Sequence, residues 1–371
     1  MNDFSSGMYW LSLTLYPVTH LSSILVKQLN NLKRLVIIMT RDYLGRPLKD
    51  LRISITDRCN FRCDYCMPPE IFGEDYEFLP RSEILSYEDI ILLVKAMLPL
   101  GLEKVRITGG EPLLRKDIAI LISMIRKCDQ DLDIALTTNG SLLARFAKDL
   151  ATSGLDRVTV SLDAIDDSIV KKISNSNLGS KNIIDGVKAA LDNGLNVKIN
   201  TVVVKNYNEN QIIPILNIFY RMNVLVRFIE YMDVGGTKDW KPEQVVFGNQ
   251  IRKLISAEYG DLTPVAGQKY GEVANLWTLP NGYQIGFIES ISKPFCNSCT
   301  RVRVSANGNL YTCLFSDTGH DLKSLINMGA EISDLTEAIC SVWSNRADKY
   351  SQVRNTSNQN KIPVEMHFIG G

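Results

Sequence analysis

Histidine is nearly missing from this 371-residue sequence, and three in all are too few for a metal site built from imidazoles. Cysteine is also sparse: eight residues cannot cross-link a chain of this length into a disulfide scaffold. No charge excess exists, since Lys+Arg 41 balances Asp+Glu 41, which excludes a broad nucleic-acid-binding or membrane-coating surface. No stretch reaches the roughly 18 unbroken apolar residues of a membrane span, which excludes stable membrane insertion. Walker A and G-x-G-x-x-G motifs are missing too, so P-loop GTPase and Rossmann dehydrogenase readings fail. What remains is a globular composition, 45% hydrophobic and 22% charged, long enough for one large domain with an appendage or for two domains.

Residues 1–38 carry only Lys27, Lys33 and Arg34 as positive charges and lack the basic start of a signal peptide. They are expected to form an extension outside the fold, with Met39 as a natural start; an amphipathic or lipid-touching helix is the alternative. From residue 51 a rhythm sets in. LRISIT, KVRIT, LDIALTT, RVTVSL, VKINTVVV and VLVRFIEY read as strands, each separated from the next by a helix-length segment. Ser86 with Gly101, and Ser141 with Gly154, bracket two of those helices as cap and stop. Six such units are short of the eight in a full TIM barrel. After residue 233 the pattern becomes a smaller α+β portion, with a helix near Gln250 to Glu258, hairpin-like strands, and Asn307-Gly308 as a hairpin turn. SNSNLGSKN and SNRADKYSQVRNTSNQNK read as exposed loops.

Alternation within the strands sorts side chains onto two sides. Arg52, Ser54 and Thr56 share one side of the first strand; Lys104, Arg106 and Thr108 share one side of the second; Thr159 and Ser161, then Lys198 and Asn200, follow on later strands. Their opposite sides are Val, Leu and Ile. With helices covering the apolar side, the polar side looks inward, and Arg52, Arg106 and Lys198 converge as an anion site. A half-exposed sheet meeting water is the alternative.

The cysteines are clustered. Cys59, Cys63 and Cys66 form C-x3-C-x2-C directly after the first strand, where barrel active sites lie. Three thiolates are one short of a closed zinc site, whereas a 4Fe-4S cluster held by three Cys keeps one iron open for another ligand. With Tyr65 before the last Cys and T-G-G-E-P at Thr108 to Pro112, the sequence resembles the radical S-adenosylmethionine (SAM) superfamily. Glycine suits Gly109 and Gly110 because backbone there must approach a ligand closely. The resemblance implies that the open iron is chelated by SAM, and that reduction cleaves SAM to a 5′-deoxyadenosyl radical.

Cys296, Cys299 and Cys313 form a second group, C-x2-C-x13-C, for which zinc completed by His320 is the plain alternative. The pattern F-C-x2-C-x-R-x-R-x4-G from Phe295 to Gly308, with the terminal Gly370-Gly371, is similar to the molybdenum cofactor biosynthesis protein A family of GTP 3′,8-cyclases from about residue 40 onward. The fold implied is an incomplete (β/α)6 TIM-type barrel over residues 39–233, closed by the C-terminal portion, 234–371, with a second cluster and the Gly-Gly tail. Two 4Fe-4S clusters face one cavity, the second presenting an open iron to the guanine of GTP. The activity implied is hydrogen abstraction from ribose C3′, attack of C3′ on C8, and formation of (8S)-3′,8-cyclo-7,8-dihydro-GTP.

By the same resemblance Tyr65, Gly109, Gly110, Glu111, Ser161 and Met232 are SAM-binding. Arg52, Arg106, Thr137 and Lys198 are GTP-binding, and Arg301 and Arg303 are both GTP-binding and catalytic. Partners implied are an electron donor and a downstream cyclic pyranopterin monophosphate synthase, with a homodimer left open. Thiol clusters without a secretory signal point to the reducing cytoplasm. A different radical SAM enzyme with an auxiliary cluster, such as a peptide-maturation enzyme, is the competing function; it normally needs more C-terminal cysteines. Cys128 and Cys340 read as buried small side chains.

Overall fold

Six short runs of alternating or β-branched residues form six parallel strands, and they lie side by side in chain order. They are β1 (Asp50–Ser54), β2 (Lys104–Thr108), β3 (Asp133–Thr138), β4 (Arg157–Ser161), β5 (Asn196–Val203) and β6 (Leu225–Glu230). Between them run α1 (Tyr87–Met97), α2 (Ile118–Cys128), α3 (Leu143–Thr152), α4 (Asp167–Ser174), α5 (Ser180–Asp192) and α6 (Ile212–Arg221). The computed structural model describes residues 40–235, 240–267, 270–354 and 363–370. The expectations for residues 1–38, for Met39 and for Gly371 fall outside the described residues.

The remaining elements are α7 (Gly248–Tyr259), β7 (Thr263–Pro264), β8 (Asn275–Thr278), β9 (Gln284–Ile288), β10 (Arg301–Val304), β11 (Asn309–Tyr311), β12 (His320–Asp321), α8 (Lys323–Asn327), α9 (Ile332–Ser344), α10 (Tyr350–Val353) and α11 (Met366–Ile369). Their strands do not make a sheet of their own. Instead β10 joins β1 in parallel and β9 joins β6 in parallel, and antiparallel strands beyond them complete one open sheet in the order β12-β11-β10-β1-β2-β3-β4-β5-β6-β9-β8-β7. The fold is thus mixed α/β.

One side of each parallel strand is apolar and packs under the helices. Leu51, Ile53, Val105, Ile107, Val158, Val160, Ile199 and Phe228 are all buried in the core that the helices close. Removing these side chains from water is the main source of stability here. No helix among the described residues is long and apolar enough to cross a membrane.

Local signals held in part. Ser86 caps α1 through a capping box, its hydroxyl accepting from the Asp89 amide at 3.0 Å while the Asp89 carboxylate accepts from the Ser86 amide at 2.8 Å. Gly101 then takes the left-handed conformation, φ 103°. Gly154 likewise follows α3 with φ 94°. Ser141, however, does not cap α3: its hydroxyl donates to the Asn139 side chain at 2.7 Å, and the cap position falls to Leu142 without a side-chain hydrogen bond. Asn307-Gly308 does turn the β10–β11 hairpin, with Gly308 at φ 85°. The segment around residues 344–354 is not simply an exposed loop, because Arg346 within it is buried. Cys128 and Cys340 are half-buried at the edge of the core rather than enclosed by it.

Candidate active site

The first cysteine group occupies the loop at the carboxyl end of β1. The Cys66 and Met67 amides both donate to the Cys63 carbonyl, at 2.9 and 2.7 Å, which winds a single turn and sets Cys63 and Cys66 one turn apart. Arg62 fixes the loop from behind, donating to the Cys59 carbonyl at 2.8 Å and the Phe72 carbonyl at 2.7 Å. Burial pushes the Cys59 thiol up to about 11 and raises Cys63 and Cys66 as well, Cys63 also through its two cysteine neighbours. Three thiolates therefore need a cationic centre among them.

The Gly-Gly-Glu loop after β2 lies against this cysteine loop, backbone on backbone. The Gly110 amide donates to Thr56 carbonyl at 2.8 Å, and the Glu111 amide to Arg58 carbonyl at 2.8 Å. A Cβ on Gly109 would stand 2.5 Å from the Thr56 carbonyl oxygen, and one on Gly110 would overlap the Arg58 carbonyl. The glycines are thus required by the approach of two protein loops, a reason the sequence reading assigned to a ligand alone. Glu111 is fully buried, and its carboxylate accepts from Thr138 Oγ1, the Asn139 amide and the Leu113 amide at 2.8 to 3.0 Å. Burial still lifts its pKa to about 7.

A small cavity beside the loop is walled by Cys63, Tyr65, Asn139, Ser161 and Asp163 among others. Tyr65 Oη donates to Asp163, whose other oxygen accepts from the Val202 amide at 2.8 Å. Burial raises Asp163 to about 6 in spite of these hydrogen bonds. The cavity brings together Cys63, Tyr65 and Ser161; Gly109, Gly110, Glu111 and Met232 do not line it and stand beyond the ends of β2 and β6. A separate cleft along α7, lined by Arg252, Lys253 and Trp277, holds none of the residues singled out in the sequence.

Between the strand ends lies a row of cations. Arg303 on β10, Arg52 on β1 and Arg106 on β2 are cross-strand neighbours in register. Arg106 Nη1 donates to Thr137 Oγ1 at 3.0 Å and Thr159 Oγ1 at 3.2 Å, and Thr159 pairs in register with Lys198. Arg227 on β6 reaches the same Thr159 hydroxyl at 3.4 Å. Burial, then mutual repulsion, lowers every member: Arg52 to about 9 with Arg301 and Arg106 nearby, Arg106 and Arg227 to about 10, Lys198 to about 8, and Arg303 strongly. The Nε atoms of Arg52, Arg106 and Arg227 are buried without a hydrogen-bond partner. Like charges gathered this way favour a polyanion.

The second cysteine group lies at the other end of the strands. Because β10 runs parallel to β1, Cys296 and Cys299, which precede β10, lie where β1 begins, whereas Cys59, Cys63 and Cys66 lie where β1 ends. Continuing the β10–β11 register places Cys313 opposite Arg301. Arg301 and Arg346 each donate to Cys299 Sγ at 3.1 Å. Burial pushes the Cys299 thiol up, but the Arg301 and Arg346 guanidiniums bring it down to about 6; at Cys313 burial prevails and pushes the thiol up to about 11. Arg303 donates to the Gly370 carbonyl, so the end of the chain enters the cation row. A Cβ on Gly370 would overlap Thr108 at the end of β2.

Among the described residues no three His, Cys, Asp or Glu side chains gather tightly enough to hold a single ion. The two half-buried cysteine triplets, the first mutually repelling and the second with Cys299 paired to guanidinium, fit a polynuclear cluster in which three irons each take one thiolate. Arg227 and Asp163 were missed in the sequence although the alternation that exposed Arg52 and Ser161 extends to both. Arg346 carried no local signal.

The Radical SAM superfamily model matches residues 53–218 and the Molybdenum Cofactor Synthesis C model matches residues 224–352. The GTP 3′,8-cyclase of Staphylococcus epidermidis is 45% identical over 336 residues, 89% of this chain and 98% of that protein. Those of Staphylococcus haemolyticus and Staphylococcus aureus are 44% and 43% identical over the same shares. Among solved structures, Streptococcus suis SuiB bound to S-adenosylmethionine superposes with a TM-score of 0.58 at 16% identity, covering 85% of this chain and 69% of that one, a likeness of fold.

Proposed function

Because this chain belongs to the GTP 3′,8-cyclase family of the radical SAM superfamily, we infer that it converts GTP to (8S)-3′,8-cyclo-7,8-dihydro-GTP, an early step of molybdenum cofactor biosynthesis. The observation that carries the reading is the row of half-buried Arg52, Arg106 and Lys198 with buried Arg303, and a cysteine triplet at each end of the strands. Six parallel strands in chain order support an incomplete (β/α)6 barrel over residues 39–233, completed at both edges by strands of residues 234–371.

Cys59, Cys63 and Cys66 would hold one 4Fe-4S cluster and Cys296, Cys299 and Cys313 another. The first cluster with SAM supplies a 5′-deoxyadenosyl radical. Tyr65 and Ser161, from the cavity wall, orient the SAM adenosine, and Asp163 fixes the Tyr65 ring. Gly109, Gly110 and Glu111 build the loop floor under the methionine end, with Met232 at the end of β6 beside it. Arg52, Arg106, Thr137 and Lys198 bind the triphosphate, and each charge suppressed by its neighbours recovers favourable pairing on the anion. Arg227 joins them by position. Arg301 beside Cys299, and Arg303 at the β10 end of the row, orient the base and ribose between the two ends. An electron donor, a downstream cyclic pyranopterin monophosphate synthase and a cytoplasmic setting complete the reading, with a homodimer left open.

The test is anaerobic incubation of cluster-loaded protein with SAM, GTP and dithionite, with mass analysis of the nucleotides. The expected result is 5′-deoxyadenosine together with the cyclised nucleotide. Formation of 5′-deoxyadenosine while GTP stays unchanged overturns the assignment.

A further inference from the structure

Two arginines from opposite ends of the chain meet behind the second cysteine group. Arg46, just before β1, donates from Nη1 to the Cys296 carbonyl at 2.8 Å and from Nε to Asp42 at 2.5 Å. Arg346, just after α9, donates from Nη1 to the Cys299 carbonyl at 2.8 Å and from Nη2 to Cys299 Sγ at 3.1 Å. The same Asp42 oxygen lies 3.3 Å from Arg346, so one buried carboxylate holds both guanidiniums. Trp343 completes the brace: its ring stacks 4.5 Å from the Arg346 guanidinium while its Nε1 donates to the Arg46 carbonyl at 3.1 Å. Asp42, Arg46 and Arg346 are at most 5% exposed.

Holding a loop in place needs only neutral donors on its carbonyls. A charged N–H on the sulfur itself acts on the ligand's electron density. The two cysteine groups differ sharply here: in the first group the Cys59 sulfur takes neutral donors, the Phe61 amide at 3.4 Å and the Asn139 side chain at 3.9 Å. Hydrogen bonds to cluster sulfurs stabilise the reduced form, which carries more negative charge on them.

We propose that Arg346, anchored by Asp42, is a positioning residue of the second cysteine group that raises the reduction potential of the cluster bound there. This rests on the reading that Cys296, Cys299 and Cys313 hold a 4Fe-4S cluster. The step concerned is uptake of one electron from an external reductant by that cluster, with no bond made or broken.

The experiment is an EPR-monitored dithionite titration of the full protein carrying both clusters, parent against Arg346→Gln and Arg346→Lys, with iron counted beforehand. GTP marks the second signal and SAM the first. In Arg346→Gln the reduction equilibrium of the second cluster is expected to fall about tenfold or more, a midpoint lower by about 59 mV for one electron, while the first midpoint stays put. Arg346→Lys, retaining charge with a less extended reach, should fall between. A second midpoint equal to the parent's in fully loaded Arg346→Gln overturns the proposal. If Arg346→Gln loads only the first cluster, Arg346→Lys decides by the same criterion, and loss of the second iron set from both variants overturns the redox assignment in favour of a structural brace. A parent protein that binds a single cluster refutes the reading of the second cysteine group instead, and the iron count shows this before any titration.

Discussion

Raising the pH from 7 to 9 is expected to weaken GTP binding about tenfold through Lys198 alone. Its ammonium is lowered to about 8, first by burial and then by Arg227, Arg157 and Arg106. With that value the charged fraction drops from about nine-tenths at pH 7 to about one-tenth at pH 9, a loss of about 1.4 kcal/mol if only the ammonium binds triphosphate. The direction is set by the lowered pKa: the binding form prevails below about 8 and is lost as pH rises through it. Unfolding does not mimic the effect. Between about 8 and 10.5 the unfolded chain would hold the proton that folded Lys198 has released, so this group makes the fold more stable as pH rises in that window. The assay is anaerobic equilibrium binding of GTP at pH 7, 8 and 9, in the parent and in Lys198→Gln, the difference cancelling titration of GTP itself. SAM binding should show no such difference. Parallel GTP profiles for the two proteins would refute the reasoning.

Replacing Cys59, Cys63 or Cys66 with Ala should abolish 5′-deoxyadenosine formation. Folded Cys296, Cys299 or Cys313 variants should keep the first cluster's iron and some uncoupled SAM cleavage yet lose the cyclised nucleotide; cyclisation at the parental rate would make the second group structural. Gly110→Ala drives a methyl group into the Arg58 carbonyl, where two backbones leave no flexible side chain to yield. It should cost about 1–3 kcal/mol in urea unfolding and lower the iron held by Cys59, Cys63 and Cys66, and a variant with parental iron and stability would show that the loops part easily.

The fold was legible where local pattern decides structure. Period-two alternation located the six parallel strands β1 to β6, because one side of each has to be buried under helices. Helix ends were legible where the cap acts alone, as at Ser86, and not where a better local partner competes, as Asn139 does for Ser141. The destination of the C-terminal strands was not legible. Pairing of β10 with β1 joins residues about 250 positions apart, and nothing in the alternation of TRVRV states which strand it will meet or in which direction.

That pairing decides how the site works. The sequence supplied the cysteine triplets and the inward cations, and the family resemblance implied two clusters facing one cavity. Parallel pairing of β10 puts the triplets at opposite ends of the same strands. Five residues of β1 at about 3.3 Å each separate the ends by about 16 Å, too far for one small group to touch both and comparable with an extended nucleotide. Arg52, Arg106 and Arg303 lie within this interval, in adjacent register. In the function proposed, the charge of the substrate rests on these cations, between the SAM end and the second cysteine group. The buried brace of Asp42, Arg46 and Arg346 acts at one end only, so the two cysteine groups, alike in sequence as sets of three thiols, are chemically unlike in the folded chain.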